Sequence, residues 1–465
     1  MSCFEGRLKE LKNVSIDCFE NKNLYSTTYF LSHCHIDHMQ GLRSFAFLKR
    51  LKEEPVVFLY CSEITAHILK SEHTFKDVTH KIKDLHVGPE NLVEIPDPDG
   101  SVEEVTVTLI PTGHCPGAVM FLVEGDTHIG RILYTGDFRI VEGDAPKFRQ
   151  LHYSNGDVKT IDKLYLDTTF LSKDYEQFPN RQNSIALLCD LAAAWLKKAP
   201  DHHVSVELPA RFGSEAVFMK LSNQLGMKVH VNDEIYNIYK NVTEIRDAVT
   251  NDPTCTRIHA CLHITSRRAI QRNGDKVLLP CLRDWFKLQT LRPCALSFNS
   301  KIYRGTLESA VLRSDKENVI RVCYSCHSSY RELKYLVNYL NPRQIEACVV
   351  PLKMKEAHVL RLLRDMCDSE NEPTLSISKR KVLVRSGMRI DGAVDVEEPV
   401  VNGLKAENSS AVEEAVKDTD AEIYRLIAED FKPKDGAGNA EACKRLSSTF
   451  LAAAATAKRK KLTDA

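Results

Sequence analysis

The chain has 465 residues, 43% hydrophobic and 27% charged, with 63 Lys and Arg against 63 Asp and Glu. It is longer than one ordinary domain of roughly 100–200 residues, and its composition excludes a mostly disordered chain, a collagen-like one and a small disulfide scaffold. A net charge of zero leaves a polyanionic partner open, but only through local clusters of basic residues.

The first residues, MSCFEGRLKELKNV, carry acids early and no apolar stretch, so no secretory signal is expected. No run of about 18 apolar residues predicts a membrane-spanning helix. Fifteen cysteines are spread along the length, several inside apolar runs (Cys61, Cys323, Cys348), which predicts free thiols in a reducing compartment.

Residues 1–170 predict short strands at 29–33, 56–61, 105–110, 119–123, 132–138 and 164–170, each bounded by Gly, Pro or polar residues. From 181 the period turns helical, with Ile185, Leu188, Leu191, Ala192 and Trp195 on one face. VSVEL then predicts a strand, 214–225 a helix, and 229–231 and 257–262 further strands. Residues 318–325 predict another strand, YRELKYLVNYL a helix stopped by Pro342, ACVVPL a buried strand and EAHVLRLLRDMC a closing helix. This alternation predicts a layered α/β fold. After Cys367 the apolar face is lost, so 368–465 is expected to be a largely disordered tail with a transient helix near 409–430. Its last basic cluster, Lys458-Arg459-Lys460-Lys461, fits a nuclear import signal and a solvated face equally well.

Chemistry concentrates at His33-Cys34-His35-Ile36-Asp37-His38, where the first predicted strand ends. Histidines at i and i+2 leaving a strand point to one side. An isolated histidine pair would more often be core or surface; four candidate ligands in six residues predict a metal site. His114, in a Gly/Pro loop after a strand, and Asp137, at the end of another, would complete it. A carboxylate there could bridge two ions, an arrangement suited to displacement at phosphorus.

The ordered set HxHxDH, GHxPG and TGD resembles the signature of the metallo-β-lactamase superfamily. The resemblance implies that His33, His35, His114 and Asp137 bind one metal and that Asp37, His38 and the shared Asp137 bind a second. Asp17, in VSIDCF, matches the early aspartate that braces the histidine loop. LDTTF at 166–170 and YSCHSSY at 324–330 resemble motifs flanking the inserted cap of the β-CASP nucleases. That resemblance assigns His327 to the scissile phosphate and Asp167 to orienting it, since a carboxylate-held imidazole keeps one tautomer.

The expected fold is therefore a metallo-β-lactamase αββα sandwich with an inserted β-CASP cap and a disordered C-terminal tail. Its expected parts are a catalytic domain at 1–170, a cap at 171–317, a return segment at 318–367 and a tail at 368–465. RNA-processing relatives carry a histidine in a third motif; the matching Ala347–Pro351 has none, which favours DNA. Runs such as YFLSHCHIDHMQGLR and LYTGDFR are most similar to the DNA cross-link repair branch of these nucleases. By that resemblance His230, His259, Cys261 and Cys281 hold a structural zinc in the cap.

The implied activity is a metal-dependent nuclease acting on DNA hairpins, overhangs and single strands in end joining, in the nucleus. Zinc would serve as one or two catalytic ions and one structural ion, with magnesium alongside substrate. Implied partners are DNA, the DNA-dependent protein kinase and an end-joining ligase complex, with no membrane. The segment 368–465 nevertheless lacks the Ser-Gln and Thr-Gln pairs of such kinase-regulated tails. Arg43, Lys49, Arg50, Arg211 and Arg267 are the candidate DNA contacts. The competing readings are an RNA-processing β-CASP nuclease and a catalytically silent scaffold; the full ligand set speaks against the scaffold.

Overall fold

The computed structural model describes residues 3–378 except 208–209, 262–269, 315–317, 352 and 368–372. Arg267, the expected transient helix and the terminal basic cluster lie outside the described residues.

A four-stranded parallel sheet opens the fold, with β1 (Val14–Ile16), β2 (Thr28–Leu31), β3 (Phe58–Ser62) and β4 (Ile82–Leu85) side by side in that order. Helices α1 (Phe45–Glu53) and α2 (Glu63–Ser71) lie on its outer face. Alternation along β2 explains the layering. Tyr29 and Leu31 pack among Phe47, Leu51 and Leu69 of the helices, whereas Phe30 turns the other way onto Phe121 of the second sheet. A parallel strand buried on both faces therefore appears in sequence as a continuous apolar run.

The second sheet begins as an antiparallel meander of β5 (Glu90–Pro96), β6 (Val102–Pro111), β7 (Val119–Glu124) and β8 (Arg131–Tyr134), with β9 (Lys163–Leu166) added parallel to β8. Val105, Val107, Phe121, Val123, Ile132 and Tyr134 fill the space between the two sheets. Met120, Leu122, Leu133, Leu164 and Leu166 face the other way.

The chain then leaves for the cap through α3 (Arg181–Leu196). The cap elements are β10 (His202–Val206), α4 (Glu215–Leu225), β11 (Val229–His230), α5 (Asp233–Tyr239), β12 (Val249–Thr250) and β13 (Ile258–His259). A hairpin of β14 (Gln271–Asn273) and β15 (Lys276–Leu278) follows, then β16 (Lys287–Cys294), β17 (Val311–Ser314) and β18 (Val319–Cys323). Its main sheet runs β12-β11-β13-β10-β16-β18-β17, parallel except for β17. The cap core is continuous with the helix-covered face of the first sheet, so the cap is packed onto the catalytic domain.

The chain returns through α6 (Tyr330–Leu340), β19 (Gln344–Ala347) and α7 (Glu356–Met366), and ends in β20 (Thr374–Ile377). Both helices cover the outer face of the second sheet, giving the αββα order expected. No helix among the described residues is long and apolar enough to cross a membrane.

Three boundaries differ from expectation. The strand at 318–325, expected to open the return segment, is β18 in the cap sheet, paired residue by residue with Thr290–Cys294 of β16. A strand buried on both faces carries no mark of which sheet it joins. The run ACVVPL is a strand only up to Ala347, after which Val349 leaves the sheet to hold Thr168 through its main chain. The segment after 367 also contributes to the fold, because β20 pairs in parallel with β19.

Within the cap, fully buried Glu215 accepts the Tyr239 hydroxyl, and burial pushes its carboxyl up to about 8 from an ordinary 4.5. Folding thus keeps a proton that the unfolded chain releases. The stability due to this proton is complete below pH 4.5, is lost as pH rises and is gone above about 8. The Tm should fall across that window, and Glu215→Gln should flatten the fall; the same slope in both proteins would refute this source.

Candidate active site

β1 and β2 end side by side, and the chain leaving β2 turns at Ser32 into the histidine loop. Asp17, just past β1, sits at φ 53° and is 4% exposed. Its carboxylate accepts Ser32 N at 2.7 Å, Ser32 Oγ at 2.5 Å, Tyr134 OH at 2.8 Å and His38 Nδ1 at 2.8 Å. Asp17 is therefore a brace, and it leaves His38 Nε2 to face inward.

His33 Nε2 and His114 Nε2 lie 3.0 and 3.1 Å from His35 Nδ1. Asp137 Oδ2 is 3.3 Å from His114 Nε2 and 3.7 Å from His33 Nε2. These four ligand atoms all fall within 4.8 Å of one another, and all four residues are buried. The outward nitrogens fix the tautomers: His33 Nδ1 meets Ser32 Oγ at 2.9 Å, and His114 Nδ1 donates to Cys326 O at 3.2 Å.

Burial, aided by neighbouring imidazoles, holds His33 and His114 well below the usual histidine range. Burial likewise lowers His35 to about 3, with Asp37 opposing. Neutral imidazoles aiming lone pairs at one point have no proton to share, and this donor set suits a borderline divalent cation such as zinc.

Asp137 faces a second group through its other oxygen, with Oδ1 3.2 Å from His38 Nε2. Asp37 Oδ2 is 3.9 Å from the same nitrogen. Burial pulls His38 down, but Asp137, Asp37 and Asp17 together raise it well above the usual range. A carboxylate between two ligand groups is the arrangement that bridges two ions.

His327, from the loop between β18 and α6, approaches from the return segment. Its Nδ1 lies 2.8 Å from Asp167 Oδ2, and its Nε2 lies 4.0 Å from Asp137 Oδ2. Asp167 Oδ1 accepts Thr169 N at 2.9 Å and Thr169 Oγ1 at 2.7 Å. Burial raises the Asp167 carboxyl, but His327 and the Thr169 donors outweigh it and hold it below the ordinary value. The dyad thus presents one ring nitrogen to the histidine and aspartate cluster and anchors the other.

The cap holds a separate group. β11 and β13 are neighbours in register, which sets His230 beside His259 with 3.3 Å between the Nδ1 atoms. Cys261 Sγ and Cys281 Sγ are 3.6 Å apart, and Cys281 Sγ is 4.0 Å from His259 Nδ1. The Cys261 thiol, with His230 and His259 behind it, holds the Cys281 thiol far below the usual range against burial.

The described candidate DNA contacts each have a partner within the protein. Arg43 forks onto Glu72 at 3.0 and 2.9 Å, while Arg211 reaches Glu72 at 3.2 Å and Glu234 at 2.7 Å. This network bridges the cap and the catalytic domain. Lys49 pairs with Glu53 at 3.8 Å, and Arg50 donates to Ser26 O at 3.0 Å. Sequence reasoning did not single out Ser32, Tyr134 or Arg139, whose partners are remote in sequence and carry no local pattern.

A two-sheet sandwich with this histidine and aspartate cluster, roofed by an inserted α/β cap, defines a protein of the metallo-β-lactamase class. A family model described as DNA repair metallo-beta-lactamase matches residues 243–353. Protein artemis of Homo sapiens is 36% identical over 375 residues, covering 79% of this chain and 52% of its own. Protein artemis of Danio rerio is 36% identical over 373 residues, covering 79% and 56%. The DNA cross-link repair 1A protein of Homo sapiens is 33% identical over 329 residues, covering 69% and 28%. The chain is thus similar to the DNA repair metallo-β-lactamases by the family model over residues 243–353, and to the artemis proteins over about four fifths of its own length. It spans about half the length of the artemis proteins it matches.

Proposed function

We propose that the chain is a metal-dependent DNA nuclease that processes DNA ends in double-strand break repair by end joining, in the nucleus. The observation that carries this reading is the Asp167–His327 dyad aimed at a buried cluster of His33, His35, His114 and Asp137, with Asp37 and His38 alongside. Divalent ions held there, zinc by the donor set and magnesium with substrate, would acidify a water and neutralise charge on the phosphate. Asp17 keeps His38 oriented, Asp137 spans the two ligand groups, and His327 Nε2 delivers a proton to the departing 3′-oxygen. The product then carries a 5′-phosphate.

The third-motif segment holds Thr168 through the main chain of Val349 and carries no histidine, which supports DNA over RNA. Hairpins and overhangs are the proposed endonuclease substrates, and single strands those of 5′-exonuclease action, as the sequence resemblance implies. The DNA-dependent protein kinase and a ligase complex are the proposed partners on that resemblance alone, and the lack of Ser-Gln and Thr-Gln pairs in 368–465 weighs against them. The test is zinc-loaded chain with matched 3′-labelled single strands of DNA and RNA. Shortening of DNA from its 5′ end is expected. Shortening of RNA alone would move the chain to the RNA branch, and no cutting with metal bound would favour a silent scaffold.

The cap group is proposed as a structural zinc site of His230, His259, Cys261 and Cys281, four buried or half-buried donors suited to closed tetrahedral coordination. Cys261→Ser should remove one zinc per chain and lower the Tm by several degrees, because binding energy at such sites is folding energy. Metal analysis with a thermal melt checks both, and unchanged zinc content would refute the assignment.

A further inference from the structure

The segment that follows Asp137 is laced to the loop that carries His327. Ser328 N donates to Phe138 O at 3.0 Å, and Ile140 N donates to Ser328 Oγ at 3.2 Å. Between them Arg139, 2% exposed, turns its guanidinium inward. Nη1 donates to Ser325 O at 2.9 Å, and Nη2 donates to both Pro179 O and Glu332 Oε1 at 3.0 Å. Nε adds a longer contact to the same Glu332 oxygen at 3.3 Å. The other Glu332 oxygen accepts Ser329 N at 2.7 Å and completes the capping box of α6. The main chain of Arg139 also donates to Thr112 O at 3.1 Å, two residues before His114.

One side chain, on the segment that carries Asp137, therefore grips the chain before His327 at Ser325, after it at Glu332 of α6, and the entry to the cap at Pro179. A guanidinium is suited to this because its donors form a rigid planar fork that stays charged. A lysine, with one compact ammonium, cannot reach Ser325, Pro179 and Glu332 in the same geometry. A plain structural staple would need no such placement around both ends of the dyad loop.

We propose that Arg139 is a positioning residue for cleavage: it fixes His327 Nε2 against Asp137 and ties that geometry to the point where the cap departs. The role rests on the nuclease reading above. Errors of an ångström in placing a proton donor cost rate rather than binding.

The test uses the full zinc-loaded chain carrying Arg139→Lys, Arg139→Ala or Glu332→Gln. For both arginine variants kcat on DNA should fall about 100-fold with KM within about threefold. Glu332→Gln, which keeps an acceptor, should fall less, and zinc content should hold. Millimolar guanidinium should restore activity to the alanine variant at least about tenfold, since it replaces the missing fork. In parallel, nitrogen-15 spectra of labelled histidine, with His327 assigned by His327→Gln, should show that ring displaced in Arg139→Lys. Unchanged kcat would overturn the proposal. So would a loss that tracks the melt, with no guanidinium rescue and an unmoved His327 signal. If the wild-type chain cuts no DNA, the nuclease reading fails, and the His327 signal alone still decides the positioning role.

Discussion

His327→Ala is expected to lower kcat on DNA by about 100- to 10,000-fold with metal content intact, the range that a positioned acid contributes. The ring lies outside the four-atom metal group of His33, His35, His114 and Asp137, yet its Nε2 is 4.0 Å from Asp137 Oδ2. Its loss would remove the proposed proton donor and no ligand of that group. Asp167 keeps both Thr169 donors on Oδ1 in the variant but loses the ring from Oδ2, so a thermal melt beside the rates separates lost folding from lost chemistry. Asp167→Asn should do less harm, because an amide oxygen still accepts from Nδ1 while the negative charge is gone. Single-turnover rates alongside zinc content check this. A His327→Ala enzyme as fast as wild type would remove His327 from the chemistry.

Asp137→Asn is expected to have the larger effect, with activity falling by more than about a thousandfold and catalytic metal lost. Both Asp137 oxygens are engaged, Oδ2 toward His33 and His114 and Oδ1 toward His38. An amide offers one neutral oxygen where two anionic ones stood, so neither ligand group stays complete. The cap group shares none of these residues, so its metal should remain and serve as an internal reference. Zinc per chain in wild type and variant measures this directly; full zinc retention would contradict the bridging role.

The histidine and aspartate cluster was legible because its chemistry is dense: His33, His35, Asp37 and His38 fall within six residues at a strand end. His114 and Asp137 were legible because each follows a strand of the same sheet, which delivers both to one edge. The cap group was legible only through resemblance. Its members meet because β11 and β13 are adjacent and the β14–β15 hairpin returns Cys281 to their ends, none of which spacing reveals. The placement of 319–323 was illegible because burial on both faces erases the alternation that assigns a strand to a sheet. The partners of the basic residues were illegible for a related reason. Arg43 and Arg211 look like free charges until the fold sets Glu72 between them.

The most direct measurement of the central claim is cleavage of a 5′-labelled DNA hairpin and its RNA counterpart by zinc-loaded chain with magnesium, beside Asp37→Asn. Cutting near the tip of the DNA hairpin, absent in the variant and weak on RNA, is the predicted result. Equal cutting by the Asp37→Asn protein, or cutting of RNA alone, would contradict it.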